Sequence, residues 1–368
     1  MVPYAGYSLP VLFEPTGVVK EHKAVREDTG MFDVSHMGQV KIMGDNDAVT
    51  SFLESAIPAD IKGLPEGTGC LSLICNESGG IEDDCIISKA KEGYFYLVVN
   101  GACKHKDLKI LQDLLDSKPE LKGAVEMNYL AEEFSLLALQ GPNASKVLQN
   151  FMPSGVDLTR MNFMDGVDLA INGIENCRLT RCGYTGEDGF ELSVPAAHAV
   201  SLSSALKETG NVMLCGLACR DSLRLEAGLC LYGNDLNDTI NPVEASLVWV
   251  LGKKGSRRRV ERSFTGAEKF LTEGGGLAKT GKKRIGLAGM KSPAREGTKI
   301  FDATGAKQIG EVTSGTFSPS LSKPIAMGYV EKDHSKAGTD INVEVRGKMQ
   351  KASIEKLPFV EGKYYRAP

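Results

Sequence analysis

Three consecutive acidic side chains follow two glycines in the β-rich segment 79–87 (GGIEDDCII). Acidic residues are depleted in strands, so Glu82, Asp83 and Asp84 call for an explanation. Side chains alternate along a strand, which places Asp83 and Asp84 on opposite faces. A carboxylate on the interior face requires a hydrogen-bond donor, and a ligand nitrogen is one candidate. The alternative is an acidic strand edge beside a turn, with no ligand.

A glycine-rich segment, 181–191 (RCGYTGEDGFE), carries three glycines spaced three residues apart. Such glycines permit positive φ angles and a close approach of the backbone to a neighbour. Tyr184 lies among them and could stack on a flat ligand, while Glu191 enters the strand that follows. A hairpin loop without a ligand is the alternative for this segment.

A third segment, 216–229, has the spacing of a helix on which Arg220, Leu223 and Arg224 share one face. Ala227 and Leu231 continue that face. A cation in a mostly apolar stripe needs an anionic partner, either a structural carboxylate or the carboxylate of a ligand. The glycine of 231–235 (LYGND) is expected to end the helix.

Together these segments resemble the aminomethyltransferases of the glycine cleavage system, the T-protein family. The resemblance covers nearly the whole chain in order. RCGYTGEDG and GLCLYGND are most similar to mitochondrial members. The segments that carry it include GMFDVSHMG (30–38), GGIEDD (79–84), LALQGPNA (137–144), RCGYTGEDGFELSV (181–194), RDSLRLEAGLCLYGND (220–235), NPVEA (241–245), VTSGTFSPSL (312–321) and AMGYV (326–330).

The resemblance implies a reaction on a carrier-bound intermediate. An aminomethyl group derived from glycine arrives on the lipoyl arm of the partner H-protein. Its methylene passes to tetrahydrofolate, a co-substrate, which yields ammonia, dihydrolipoyl H-protein and 5,10-methylenetetrahydrofolate. No metal is implied, and the expected location is the mitochondrial matrix. The start, Met-Val-Pro-Tyr, lacks a basic or Arg/Ser-rich leader, so any targeting peptide is expected to be absent or removed.

The resemblance also implies roles for particular residues. Asp84 matches the family carboxylate that orients the folate nitrogens and accepts a proton, whereas Asp83 is assigned to the structural face. Glu191 suits the guanidine-like edge of the pterin, and Arg220 lies near the folate. The other matched substrate-binding or pocket-lining positions are Tyr364, Met37, Leu71, Asn100 and Tyr184.

The elements that position these residues alternate between strands and helices without long crossovers, which indicates an α+β fold. Two hairpins are predicted, and Phe134–Gln140 reads as a buried strand. Short strands divided by turns after Lys283 indicate a small C-terminal β-barrel. The predicted organisation is a mixed strand and helix folate-binding region of two intertwined, ferredoxin-like subdomains (1–262), a linker (263–282) and the barrel domain (283–368). The hairpins pair 81–88 with 94–100 and 177–182 with 190–194; the later helices are 196–207 and 216–231.

Composition excludes several classes of protein. The chain has 368 residues, with 43 Lys and Arg against 47 Asp and Glu, so it lacks the basic charge of a dedicated DNA-binding protein. No apolar stretch approaches the ~18 residues of a membrane span. Nine cysteines occur without a CxxC pair and read as free thiols. Neither nucleic acid nor a membrane is therefore expected as a partner.

Two other functions remain open. The first is the folate domain of a sarcosine- or dimethylglycine-oxidising enzyme, which the absence of a GxGxxG fingerprint after an N-terminal strand disfavours. The second is a folate-binding relative that serves iron–sulfur assembly, which the joint presence of Asp84, Glu191 and Arg220 disfavours. The basic run 253–262 also has two interpretations, a solvated linker or a docking patch for an acidic lipoyl carrier.

Overall fold

A computed structural model describes residues 1–367, and the element bounds below refer to that range. The strands are β1 (Val2–Tyr4), β2 (Tyr7–Leu9), β3 (Gly30–Asp33), β4 (Gly38–Gly44), β5 (Thr68–Cys75), β6 (Ile81–Lys89), β7 (Phe95–Val99), β8 (Val125–Tyr129), β9 (Phe134–Gln140), β10 (Gly166–Ile171), β11 (Ile174–Thr180), β12 (Gly189–Pro195), β13 (Met213–Leu214), β14 (Lys282–Ala288), β15 (Lys299–Phe301), β16 (Gln308–Ser318), β17 (Lys323–Glu331), β18 (Asp340–Val345) and β19 (Lys348–Glu355). The helices are α1 (Gly17–Glu27), α2 (Asn46–Ala56), α3 (Lys104–Asp116), α4 (Ala144–Gln149), α5 (Ala196–Glu208), α6 (Leu217–Glu226), α7 (Arg257–Glu261) and α8 (Ala267–Phe270). No helix among residues 1–367 is both long enough and apolar enough to cross a membrane.

The first sheet has the antiparallel order β5-β6-β7-β4-β8. Helices α2 and α3 cover its outer face, because apolar residues at helical spacing meet the alternate apolar residues of the strands. Phe52, Leu111 and Ile87 are fully buried in the core between them. The predicted hairpin of β6 and β7 is confirmed, with Cys85 opposite Val99.

The second sheet has the order β10-β11-β12-β9-β3-β13, antiparallel except for β13 beside β3. Helices α4 and α5 cover its outer face around Leu139, Phe190 and Leu202. Strand β9 has the predicted bounds, and the second predicted hairpin is the β11 and β12 pair. The α+β prediction is therefore confirmed.

The inner faces of the two sheets meet in a third apolar cluster. Phe32, Leu136 and Ala138 from the second sheet pack there against Tyr96 and Val98 from the first. The inward-facing residues of β6, β7, β11 and β12 consequently enclose a cleft between the sheets.

The C-terminal region is a closed barrel in the strand order β14-β17-β16-β15-β18-β19, which confirms the predicted small barrel. The barrel is tied to the rest of the chain by apolar contacts between Leu225 of α6 and Ile325 and Met327 of β17. After β19 the chain returns to α6, where the amides of Phe359 and Val360 both donate to the carbonyl of Glu226. The barrel therefore rests on α6.

Residues 263–282, predicted to be a linker, are packed against the first sheet. Phe264, Phe270 and Leu271 are buried in a cluster with Leu73 and Ile81. The region boundaries at 262 and 283 stay a prediction, which the accessibility of these positions to a protease would check.

Two arginines of the basic run 253–262 are bound by neighbouring parts of the molecule. Arg258 is 1% exposed and donates to the carbonyls of Ala59 (3.1 Å) and Ile57 (3.0 Å). Arg257 pairs with Glu54 and Asp60. Arg258 is therefore not part of a solvated linker, whereas Lys253 and Lys254 of the same run are exposed, and a docking role for the run stays a prediction.

Helix α6 ends earlier than predicted. Its last residue is Glu226, and Gly228, at a φ of +68°, turns the chain away before Leu231 is reached. The turn allows the amide of Leu231 to donate to Asp235 (2.9 Å), which lies beside Arg224. The early end of the helix therefore goes together with the ion pair between Arg224 and Asp235.

Candidate functional site

Asp84 lies on β6 with its side chain on the face that looks into the cleft, and it is partly exposed. The side-chain amide of Asn100 donates to Asp84 Oδ1 over 3.0 Å. Burial and the adjacent charge of Asp83 raise the pKa of Asp84 to about 7. A carboxyl group that exchanges its proton near neutral pH suits general acid–base catalysis.

Asp83 occupies the opposite face of the same strand, as side-chain alternation requires. It is fully buried, and its two oxygens accept from the backbone amide and the side-chain amide of Asn100, each over 2.9 Å. The two aspartates therefore differ in position: Asp84 shares its face of β6 with Ile86 and Ser88, which line the cleft, whereas Asp83 does not.

Glu191 lies on β12, on the other wall of the cleft. Burial raises the pKa of Glu191, and the nearby charge of Arg220 opposes that shift. The cleft is narrow in this structure, with a volume of about 10 Å³ open to the centre of a water-sized sphere. Its lining combines apolar and polar side chains, namely Ile86, Ser88, Tyr96, Val98, Leu136, Arg178, Thr180, Cys182, Glu191 and Ser193.

Two arginines lie one turn apart on α6, and their surroundings differ. Arg224 is 2% exposed and forms an ion pair with Asp235 at 2.6 Å. The Arg220 guanidinium instead lies 4.7 Å from the ring centroid of Tyr184. Arg220 forms no ion pair with a carboxylate anywhere in residues 1–367.

The loop before β12 holds Tyr184 in place. Its first residue, Arg181, is buried and pairs with Asp188 through two hydrogen bonds of 2.9 and 2.6 Å. The Tyr184 hydroxyl donates to the carbonyl of Cys230. Gly186 has a φ of +77°, which a residue with a side chain rarely adopts. The glycine spacing therefore serves loop geometry, and the loop presents Tyr184 to Arg220.

The remaining predicted residues lie in different parts of the fold. Met37 packs on the cluster between the sheets, and Leu71 lies opposite Ile86 on the strand beside Asp84. Tyr364 is 36% exposed and packs on Phe163, with ring centroids 4.4 Å apart. Tyr364 thus lies in the returning C-terminal segment, and its described ring contact is with Phe163 rather than with Asp84.

Sequence reasoning gave no role in the site to one residue that lies near Arg220. His36 is 3% exposed and packs against Tyr4, with ring centroids 5.3 Å apart. Burial, together with the charges of Arg220 and Lys104, lowers the pKa of His36 to about 3, so this imidazole is neutral near Arg220. Its presence in GMFDVSHMG was the available signal, but only the packing shows its surroundings.

Comparisons with known proteins agree with this geometry. Residues 1–255 match the GCVT N-terminal domain, and residues 282–361 match the glycine cleavage T-protein C-terminal barrel domain. The chain is 46% identical to mitochondrial aminomethyltransferases of Dictyostelium discoideum, covering 99% of this chain and 90% of that one, and of Homo sapiens, covering 99% and 87%.

A solved structure gives the same result. The glycine cleavage system aminomethyltransferase T of Bartonella henselae superposes with a TM-score of 0.87 at 36% identity, covering 99% of this chain and 95% of that one. The fold and these similarities agree over 99% of the chain. The chain therefore belongs to the glycine cleavage T-protein family of aminomethyltransferases.

Proposed function

We propose that this aminomethyltransferase of the glycine cleavage system takes its one-carbon unit from the aminomethylated lipoyl arm of H-protein and passes it to tetrahydrofolate. Bonds form from the methylene carbon to N5 and N10 of the folate, while its bonds to nitrogen and sulfur break. The two protons lost from N5 and N10 balance those gained by ammonia and the dihydrolipoyl thiol. The family descriptions support both co-substrates, and the names of the relatives support a mitochondrial matrix location.

The observation that carries the proposal is the carboxyl group of Asp84, held by Asn100 and facing the cleft with its pKa raised to about 7. At neutral pH a large fraction is ionised and able to accept a proton from a folate nitrogen, directly or through water. The same charge stabilises the positive charge that develops on the reacting nitrogen. Asp84 is therefore the proposed catalytic residue.

The binding roles follow from the charges around the cleft. Glu191 offers acceptors for the amino and ring N–H groups of the pterin. Arg220, which has no carboxylate partner among the described residues, offers donors to an anionic group of the folate. Tyr184 supports Arg220 through its ring face.

The other predicted residues complete the pocket. Met37 and Leu71 supply apolar walls suited to a flat ligand. Asn100 fixes the aim of Asp84, and Tyr364 acts at the rim, where substrates enter. Holding two large substrates together is expected to contribute as much to the rate as proton transfer does.

The substitution Asp84→Asn tests this proposal. The variant keeps the size of the side chain but removes the base, so turnover is expected to fall by ~10²–10⁴. Binding of tetrahydrofolate, followed by fluorescence titration, should change little. The matched control is Asp113→Asn, a change at a carboxylate that is 62% exposed on α3. Turnover of Asp84→Asn equal to that of the control would show that the catalytic assignment is wrong.

A further inference from the structure

A second carboxyl group lies behind Asp83, on the side of β6 that faces away from the cleft. Asp107 of α3 is fully buried there, and its carboxyl, that of Asp83 and the thiol of Cys103 each place an atom within 4.8 Å of the others. The carboxyls of Asp83 and Asp107 are therefore close neighbours in an interior without solvent. The mechanism proposed above uses neither of them.

The hydrogen bonds indicate which carboxyl carries a proton. Both oxygens of Asp83 accept from Asn100, as an ionised carboxylate does. Neither oxygen of Asp107 accepts a hydrogen bond within residues 1–367. A buried ionised carboxylate without a donor is strongly unfavourable, and two adjacent carboxylates do not both ionise. The proton therefore resides on Asp107, whose carboxyl lies within 4.8 Å of that of Asp83.

The electrostatics agree with this assignment. Burial, followed by the charge of Asp83, raises the pKa of Asp107 to about 10. Asp107 is consequently protonated at any pH at which a folate enzyme works, and the pair holds one negative charge, on Asp83.

This charge is connected to Asp84 through a single amide group. Asn100 Nδ2 donates to Asp83 Oδ1 over 2.9 Å and to Asp84 Oδ1 over 3.0 Å. The two hydrogens of one amide thus bridge the two aspartates across the edge of the strand. The backbone amide of Asn100 also donates to Asp83, and its side-chain amide also donates to the backbone carbonyl of Asp84 over 3.2 Å, so both aspartates hold Asn100 in position.

We propose that Asp83 and protonated Asp107 form a positioning pair, which fixes Asn100, and through it Asp84, and places one buried negative charge behind the catalytic carboxylate. The inference rests on the role proposed for Asp84. The charge of Asp83 is the largest contribution after burial to the raised pKa of Asp84. The pair therefore determines both the orientation of Asp84 and the pH range in which Asp84 exchanges its proton.

Other titratable groups surround these carboxyls. Those near Asp84, on β6 itself and on the loops across the cleft, are Asp83, Cys85, Tyr184, Cys230 and Asp235. Those near the pair, on β6, on the N-terminal strand and around the start of α3, are Tyr4, Glu82, Cys85, Cys103 and Lys106. Within these sets Asp83 alone is also joined to Asp84 by a shared hydrogen-bond donor.

The test compares Asp83→Asn with Asp107→Asn in the full chain by the pH dependence of kcat with H-protein and tetrahydrofolate. Asp83→Asn removes the negative charge and turns an acceptor of Asn100 into a donor, so kcat should fall by about 10-fold or more. The acid limb should move to lower pH, because loss of a negative neighbour lowers the pKa of Asp84. Asp107→Asn keeps a neutral donor to Asp83, so its pH profile should remain that of the wild type.

Infrared spectroscopy of protein labelled with ¹³C at the aspartate carboxyls gives a readout that does not depend on activity. At about pH 9, where Asp84 is ionised and Asp107 is still protonated, the wild type should show the band of a buried protonated carboxyl, and Asp107→Asn should lack it. Three results would each overturn the pair. The first is the absence of that band from the wild type, and the second is an acid limb of the pH profile that Asp83→Asn leaves unmoved. The third is a stoichiometric divalent metal, found by elemental analysis and held by Asp83, Cys103 and Asp107.

The outcome for Asp84 is separable from the outcome for the pair. If Asp84→Asn keeps full turnover, the proposed catalytic role fails, although the infrared band should persist. If Asp84→Asn is inactive while Asp83→Asn keeps the wild-type pH profile, the positioning role alone fails. The infrared experiment uses only the wild type and Asp107→Asn, so it decides the protonation of Asp107 even where Asp83→Asn does not fold.

Discussion

Arg220 and Arg224 are four residues apart on one helix, and their surroundings give them different roles. Arg224 is buried against Asp235 and Ser314, at 2.6 and 2.9 Å. Arg220 stacks on Tyr184, and no carboxylate in residues 1–367 forms an ion pair with it. A paired, buried arginine supports folding, whereas an unpaired arginine beside a cleft is available to a ligand.

Because of this difference, replacement by glutamine should affect substrate binding at Arg220 and stability at Arg224. Arg220→Gln should raise the KM for tetrahydrofolate about 10-fold or more, since a charge-assisted hydrogen bond is worth ~1.5–3 kcal/mol, and should leave the free energy of unfolding nearly unchanged. Arg224→Gln should lower the free energy of unfolding by ~3–5 kcal/mol, because Asp235 is left buried without its partner. Steady-state kinetics and urea unfolding measure both effects. Equal destabilisation by the two changes would mean that Arg220 is structural.

At the scale of elements, the loop that precedes β12 depends on a close contact between backbone and side chain. A Cβ atom on Gly183 would lie 1.9 Å from Gln140 Oε1. Gln140 cannot easily move away, because it is buried, donates to the carbonyl of Cys182 (2.9 Å) and accepts from Thr185 (2.8 Å). The absence of a side chain at Gly183 therefore sets how closely this loop packs on β9, and hence where Tyr184 lies.

The substitution Gly183→Ala should therefore displace Gln140 and the loop. The expected loss is ~1–3 kcal/mol in the free energy of unfolding, the usual cost of an overpacked core, with a fall in kcat/KM as Tyr184 moves. Gly281→Ala is the control, since no atom lies within 4 Å of a Cβ there. Thermal unfolding and kinetics of the two variants check this prediction. A Gly183→Ala enzyme as stable and active as the control would contradict it.

At the scale of the whole molecule, Glu226 joins three parts of the chain. Its carboxylate accepts from Arg26 of α1 (2.9 Å), from Ser318 of the barrel (2.5 Å) and from Ser320 (2.7 Å), and it contacts the imidazole of His22 (3.1 Å). Its backbone carbonyl holds the segment that returns from the barrel. This fully buried residue thus ties α1 and the barrel to α6, on which Arg220 is carried.

The charge of Glu226 makes stability depend on acid pH. Burial opposes ionisation, but hydrogen bonds from His22, Ser318 and Ser320 outweigh it and lower the pKa to about 2, against 4.5 ordinarily. A lowered pKa stabilises the fold fully above pH 4.5 and loses that contribution as the pH falls towards 2. The contribution is about 3 kcal/mol. Glu226→Gln should lose it at pH 7 and show a flatter decline in acid.

Urea unfolding of the wild type and Glu226→Gln at several pH values between 3 and 7 measures this dependence. The two curves should converge as the pH falls, because protonation removes the same charge from the wild type. Parallel curves at all pH values would show that the charge of Glu226 does not stabilise the assembly of the three parts.

Local patterns in the sequence determined the strands and the opposed aspartates. The alternation of side chains separated Asp83 from Asp84, and the apolar run 134–140 matched β9 to the residue, because both depend on neighbouring residues of one segment. The resemblance carried by the ordered motifs correctly indicated the family and the C-terminal barrel. The roles of the individual site residues stay predictions.

Only the tertiary structure decided which charged residues are partners. The sequence does not reveal that Arg224 meets Asp235 while Arg220 meets no carboxylate within residues 1–367. It also does not reveal that Arg258 lies buried against a carbonyl 199 residues away, or that Asp107 lies behind Asp83. The burial of Arg258 and Arg259 within the charge run 253–262 was not predicted for the same reason. A charged side chain is bound by whichever groups the packed chain brings within a few ångströms, and that proximity depends on the arrangement of all the layers rather than on the pattern of any one segment.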